Sequence, residues 1–110
     1  MSNGAPLFIL SFRQRDELAA TVARAGWRAI AARRAAGAEA RFLASGAAVA
    51  LVDARGALED GLAATASLAG PAAATGAALV VLVSRGDIER AGAFYDGGAT
   101  HFLASPISEP

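Results

Sequence analysis

The sequence has no cysteine and no lysine, and its one histidine is His101. Without cysteine there is no disulfide, no thiolate metal site and no cysteine nucleophile, and a single histidine cannot supply a histidine-based metal centre. All ten basic residues are arginine and they balance ten acids, so no net field favours nucleic acid or an anionic membrane. No apolar run approaches the roughly 20 residues of a membrane span. Residues Met1 to Pro6 lack the basic and apolar regions of a signal peptide. These absences predict a cytoplasmic domain with neither a membrane nor a direct nucleic-acid partner.

What is present is a chain of 110 residues with 55% hydrophobic content, enough for one core and too short for two. Apolar runs alternate with helical stretches. Leu7–Leu10 reads as a first strand, followed by a helix from about Asp16 to Ala25 with Leu18, Val22 and Ala25 on one face. Trp27 to Ala32 fits a second strand and Gly37 to Ala44 a short helix. Ala47 to Val52 is a third strand, apolar enough to be buried on both faces, and Asp53 closes it. Leu58 to Leu68 predicts a helix stopped by Gly70-Pro71, with Ala72 to Gly76 as a small-residue connector. Ala78 to Val83 is the clearest strand and ends at Ser84. Asp87 can cap a helix from Ile88 to Asp96, and Thr100 to Leu103 is a fifth strand that stops at Ser105-Pro106.

Five strands alternating with helices predict right-handed parallel crossovers and an open sheet with helices on both faces. Ligands in such sheets bind beyond the carboxyl ends of the strands. The residues to watch are therefore Ser11, Phe12 and Arg13, then Asp53, Ser84 and Ser105. A lone carboxylate at the mouth of a buried strand is either a site or an acid that caps its own turn through hydrogen bonds to backbone amides. Trp27 and Tyr95 read as core or half-buried packing residues, and Arg33-Arg34 as a solvated strand end.

Leu51-Val52-Asp53, Val81 to Asp87, and Gly97 to Pro106 with its Gly-Gly turn and Ser-Pro ending resemble a response-regulator receiver domain, CheY-like and flavodoxin-like. That resemblance implies a phosphoacceptor at Asp53, a hydroxyl contact at Ser84 and an aromatic switch at Phe102. It also implies two acids after strand one to hold Mg²⁺ and a lysine before the proline after strand five. Here those positions hold Ser11, Phe12 and Arg13, and Ser105 ahead of Pro106. Mg²⁺ takes carboxylate and phosphate oxygens, and phosphoryl transfer depends on neutralising charge. Mg²⁺ binding is accordingly expected to be weak or absent, with no cofactor and no catalytic residue.

Arg85 or Arg13 could supply the missing positive charge, and an arginine beside Asp53 would lock the site in one state. Asp16 and Glu17 are the nearest acids downstream of strand one, although they suit a helix start. The resemblance thus implies a degenerate receiver, a pseudo-receiver lacking the acid pair and the lysine, and not an enzyme. Its expected role is dimerisation or partner docking through the surface of helix four and strand five, around Ile88, Tyr95 and Phe102. The alternatives are a working phosphoacceptor modified on Asp53 and a small-molecule sensor with a pocket at the strand ends freed by Ser11 and Ser105. A single domain over 1–110, forming the N-terminal segment of a longer signalling protein, is expected. The receiver's final helix is absent from this chain, Ser108 to Pro110 reads as the start of one, and the output module would be a cyclic-dinucleotide enzyme or a DNA-binding domain.

Overall fold

The computed structural model describes residues 4–105. Five strands form one sheet: β1 (Pro6–Ser11), β2 (Arg28–Ala32), β3 (Val49–Asp53), β4 (Ala78–Ser84) and β5 (His101–Ser105). All neighbours are parallel and the order is β2-β1-β3-β4-β5. The crossovers are α1 (Arg15–Arg24), α2 (Ala38–Ser45), α3 (Leu58–Thr75) and α4 (Ala91–Asp96), the last preceded by a 3-10 turn over Arg85–Arg90. The open α/β sheet anticipated from the alternation of runs is the architecture found. The expected helix start at Ser108 and the fate of Pro106 lie outside the described residues.

The two faces of the sheet are covered unequally. On one face α2, α3 and α4 bury Phe42, Leu68 and Phe94 against Phe8, Leu10, Val52, Leu79, Val81 and Val83. Phe8 and Phe42 meet edge to face at 5.7 Å, an arrangement that aromatic rings favour. On the other face, among the described residues, α1 alone packs Leu18 over Leu7, Ile9 and Leu51. Burial alternates along β4 because Val80 and Leu82, on its second face, pack only partly buried at the margin of the cluster that α1 covers. On β5, Leu103 pairs in register with Leu82 and is 54% exposed.

Three local expectations are corrected. The third helix does not stop at Gly70-Pro71; it runs on to Thr75, so Ala72 to Thr75 is helix and not connector. Proline inside a helix costs about 3 kcal/mol through its missing N–H and ring clash. Continuing the helix places Ala72 one turn beyond Leu68, where both are buried against the sheet, and Gly76 then ends the helix in the left-handed conformation at φ 75°. The segment from Ile88 begins as a 3-10 turn, α4 starts only at Ala91, and the Asp87 side chain caps nothing. Trp27 precedes β2 and, at 38% exposure, is not a core residue.

Candidate functional site

The connections from β1 and β3 leave in opposite directions, so their carboxyl ends flank the point where strand order reverses, the usual ligand position of such sheets. Ser11 and Asp53 are register partners there. Asp53 is 1% exposed and Ser11 is fully buried. A carboxylate so far from water needs its oxygens satisfied by the protein.

They are satisfied four times over. The Ser11 hydroxyl donates to Asp53 Oδ2 at 2.8 Å. The Arg55 backbone N–H donates to Oδ1 at 3.1 Å, closing an Asx turn. The Arg55 side chain then folds back: Nε donates to Oδ1 at 2.8 Å and Nη2 to Oδ2 at 2.9 Å. This two-pronged arrangement is the geometry in which guanidinium and carboxylate match best. The hydrogen bond to Asp53 raises the pKa of Arg55 above its ordinary value, partial burial opposes the rise, and the charges of Asp53 and Glu17 add to it. Arg55 is a permanent cation at any working pH.

The turn that delivers Arg55 is shaped by its neighbours. Ala57 N–H bonds the Ala54 carbonyl at 3.0 Å, and Gly56 takes φ 71°, a conformation costly for residues with a Cβ. Gly61 lets α3 come close behind it, since a Cβ there would collide with that of Ala54. Arg13 Nε donates to the Gly56 carbonyl at 3.1 Å and ties the loop after β1 to the same turn. Ser11 Oγ also accepts the Gln14 N–H at 3.2 Å, so the hydroxyl is used as both donor and acceptor.

The other residues singled out in the sequence are arranged around this pair without joining it. Phe12 is half-buried against the main core, and Arg13 is exposed. Among the described residues, Asp53 makes no hydrogen bond with Ser84, Arg13, Arg85, Asp16 or Glu17; Asp16 is bound by Arg15 at 2.8 Å. Ser84 and Ser105 are register partners at the ends of β4 and β5. Ser105 and Arg55 line one hollow of about 280 Å³ together with Glu17, Leu18, Thr21 and Leu82. The charge beside Asp53 is therefore neither Arg13 nor Arg85, the two arginines considered in the sequence. The signal for Arg55 was legible as an arginine two residues beyond a turn-forming Asp, within reach of a side chain that doubles back.

Phe102 lies half-buried with its ring 6.1 Å from both Phe94 and Tyr95, so it packs under α4. Tyr95 and Ile88 are 48% and 50% exposed, so Tyr95 packs on Phe102 from the surface and is not a core residue.

No protein-family model and no curated protein matches the chain. Solved structures do match, over nearly all of it. A response regulator from Burkholderia pseudomallei, whose structure holds a phosphorylated aspartic acid, calcium and citrate, superposes with a TM-score of 0.76 at 22% identity over 94% of this chain. The chemotaxis protein CheY4 of Vibrio cholerae gives 0.76 at 17% identity, covering 96% of this chain and 89% of its own. The fold is that of the response-regulator receiver domain. A receiver domain from Clostridium thermocellum adds a third match at 0.74 and 16% identity, covering 94% of this chain and 84% of its own. The chain spans 61% of the length of the Burkholderia protein. The receiver fold thus agrees with the element order and strand-end motifs read in the sequence. Among the described residues no helix is long and apolar enough to cross a membrane.

Proposed function

We propose that this chain is a pseudo-receiver: a regulatory module of a two-component-type signalling protein that works by docking to protein and not by accepting phosphate. One observation carries the reading, the closure of both Asp53 oxygens by Ser11 and Arg55. An attacking carboxylate oxygen must be free to approach phosphorus, and here each oxygen is already engaged by the guanidinium. Releasing it means breaking a largely buried ion pair, which costs about 3–5 kcal/mol when one partner is left alone.

The residues do not suit Mg²⁺ either. The ion needs several oxygen ligands in octahedral array. Beside Asp53 stand a hydroxyl and a guanidinium, and among the described residues no three Asp, Glu or His side chains converge to hold a metal. No step through a bound metal is therefore assigned to this chain.

The docking surface in this reading is the α4 and β5 edge, where Ile88 and Tyr95 expose apolar area beside half-buried Phe102. Exposed aromatic and aliphatic side chains beside one another are what protein interfaces use as anchors. The occupant is a second copy or a protein partner, with an output domain elsewhere in the polypeptide and the cytoplasm as the compartment.

Incubation with acetyl phosphate and Mg²⁺, followed by intact mass measurement, tests the reading. The expected result is no phosphoryl adduct on the unmodified chain. An adduct that disappears in Asp53→Asn establishes the phosphoacceptor instead. Docking is tested by sedimentation or by partner binding with Ile88→Ser and Tyr95→Ser, which are expected to weaken association and leave the fold intact.

A further inference from the structure

Beside the closed Asp53 pair, on the β2 side of the switch point, the surface carries a concentration of positive charge that the chain's zero net charge conceals. Two hollows adjoin there. The first, about 370 Å³, is lined by residues 11–17 and Arg33; the second, about 360 Å³, by Arg15, Ala32, Arg33, Arg34, Ala36 and Arg41. Arg15 and Arg33 line both, so the two hollows adjoin along these side chains and make one arginine-lined depression of the surface. Five of the ten arginines line it, against two carboxylates, Asp16 and Glu17.

The guanidinium groups are of two kinds. Arg13 is held by the Gly56 carbonyl at 3.1 Å, Arg41 by the Ala31 carbonyl at 3.0 Å and Arg15 by Asp16 at 2.8 Å. Each of these three keeps further N–H donors available, because a guanidinium carries five. Arg33 and Arg34 are exposed and make no hydrogen bond or ion pair among the described residues. Two like charges adjacent in sequence and without counter-ions repel each other, and a multivalent anion relieves that repulsion. The hollows lie beside the carboxyl ends of β1 and β2, the ligand end of an open parallel sheet, and each is within the size range of small-molecule sites.

We infer that this arginine-lined depression is a binding site for a small phosphoanion bearing more than one phosphate charge, a pyrophosphate or a nucleoside polyphosphate. Guanidinium forks match phosphate oxygens in pairs, and several forks along one depression suit linked phosphates better than a single carboxylate. Half-buried Phe12 lines the first hollow and, among the described residues, offers the only aromatic surface there, which a nucleobase can use and pyrophosphate cannot. The site uses none of the residues that close Asp53 except Ser11 at its rim, so it stands or falls apart from the pseudo-receiver reading.

Calorimetric titration of the chain with pyrophosphate, ATP and inorganic phosphate at low ionic strength, together with amide NMR shifts, tests the inference. Saturable one-to-one binding of pyrophosphate or ATP is expected, tighter than that of phosphate, with shifts confined to residues 11–17 and 32–41. Affinity should fall about tenfold or more in the double variant Arg33→Ala, Arg34→Ala, since each charge-assisted contact is worth about that factor. That variant should melt like the parent because neither side chain holds the fold. If ATP binds more tightly than pyrophosphate and Phe12→Leu removes the difference, the ligand is a nucleotide; equal affinities point to the polyphosphate group alone. No saturable binding, binding unchanged in the double variant, or affinity for an oligonucleotide that grows with its length overturns the proposal.

Discussion

The Arg55 guanidinium spans both oxygens of Asp53, at 2.8 and 2.9 Å, while its own backbone N–H holds Oδ1 from the same side. One residue thus supplies the turn and the counter-charge together. The acid is 1% exposed and the arginine side chain 19%, so water screens the pair only from the arginine's side. In such surroundings an ion pair stabilises little relative to an apolar pair, yet the loss of one partner is expensive.

Removing that partner is the first test. Arg55→Ala is expected to lower unfolding free energy by about 2–4 kcal/mol, at the lower side of the range for fully buried pairs because the guanidinium is partly exposed. Replacing Asp53 and Arg55 together by Ala should cost clearly less than the sum of the two single changes. Urea denaturation of the four proteins gives the interaction energy directly, and strict additivity would contradict the pairing.

Ser11 gives a second test. Its hydroxyl joins Asp53 Oδ2 to the Gln14 N–H, and both groups lose a partner in Ser11→Ala. A loss of about 1–3 kcal/mol follows for a buried polar group left short of a hydrogen bond. Ser11→Thr should retain most of the stability if the added methyl is accommodated, which thermal melts of both variants will resolve.

The course of α3 makes contrasting predictions for its two glycines. Gly61→Ala drives a methyl into Ala54 beneath the Asp53 turn and is expected to destabilise by about 1–3 kcal/mol. At Gly70 a methyl is exposed and meets no residue beyond its chain neighbours, but it faces the ring of Pro71, which disfavours helical backbone in a preceding residue that carries a Cβ. Gly70→Ala should therefore fall short of the gain of about 0.5–1 kcal/mol that helix propensity gives at an ordinary exposed site, and stay well below the loss at Gly61. Urea denaturation of both variants checks this, and a loss at Gly70 as large as that at Gly61 would contradict the close approach of α3 to Ala54.

Unequal cover of the sheet predicts a contrast in apolar substitutions. Phe94 is fully buried between α4 and the sheet, and Phe94→Ala should cost about 3–5 kcal/mol. Leu103 is 54% exposed on the opposite face, which among the described residues α1 alone covers, and Leu103→Thr should change stability by no more than about 0.5 kcal/mol. Chemical denaturation midpoints of the two variants measure the difference.

Period and punctuation along the chain were sufficient for the architecture. Short runs of four to six residues separated by helical stretches admit few arrangements other than parallel crossovers, and a carboxylate after Val49–Val52 had to emerge at the ligand end of the sheet. The absence of lysine, and the residues Ser11, Phe12, Arg13 and Ser105 at the strand ends, were likewise plain in the sequence. Tertiary structure decided the rest. Which of ten identical guanidinium groups reaches Asp53 depends on the turn through Gly56 and on how near Gly61 lets α3 approach, and neither is encoded in local preference. Helix α3 passes Pro71 because burial of Leu68 and Ala72 outweighs a local penalty that sequence rules treat as final. The clustering of Arg13, Arg15, Arg33, Arg34 and Arg41 arises only when β1 and β2 lie side by side, since charge balance is a sum over the chain and a binding surface is set by where those charges meet.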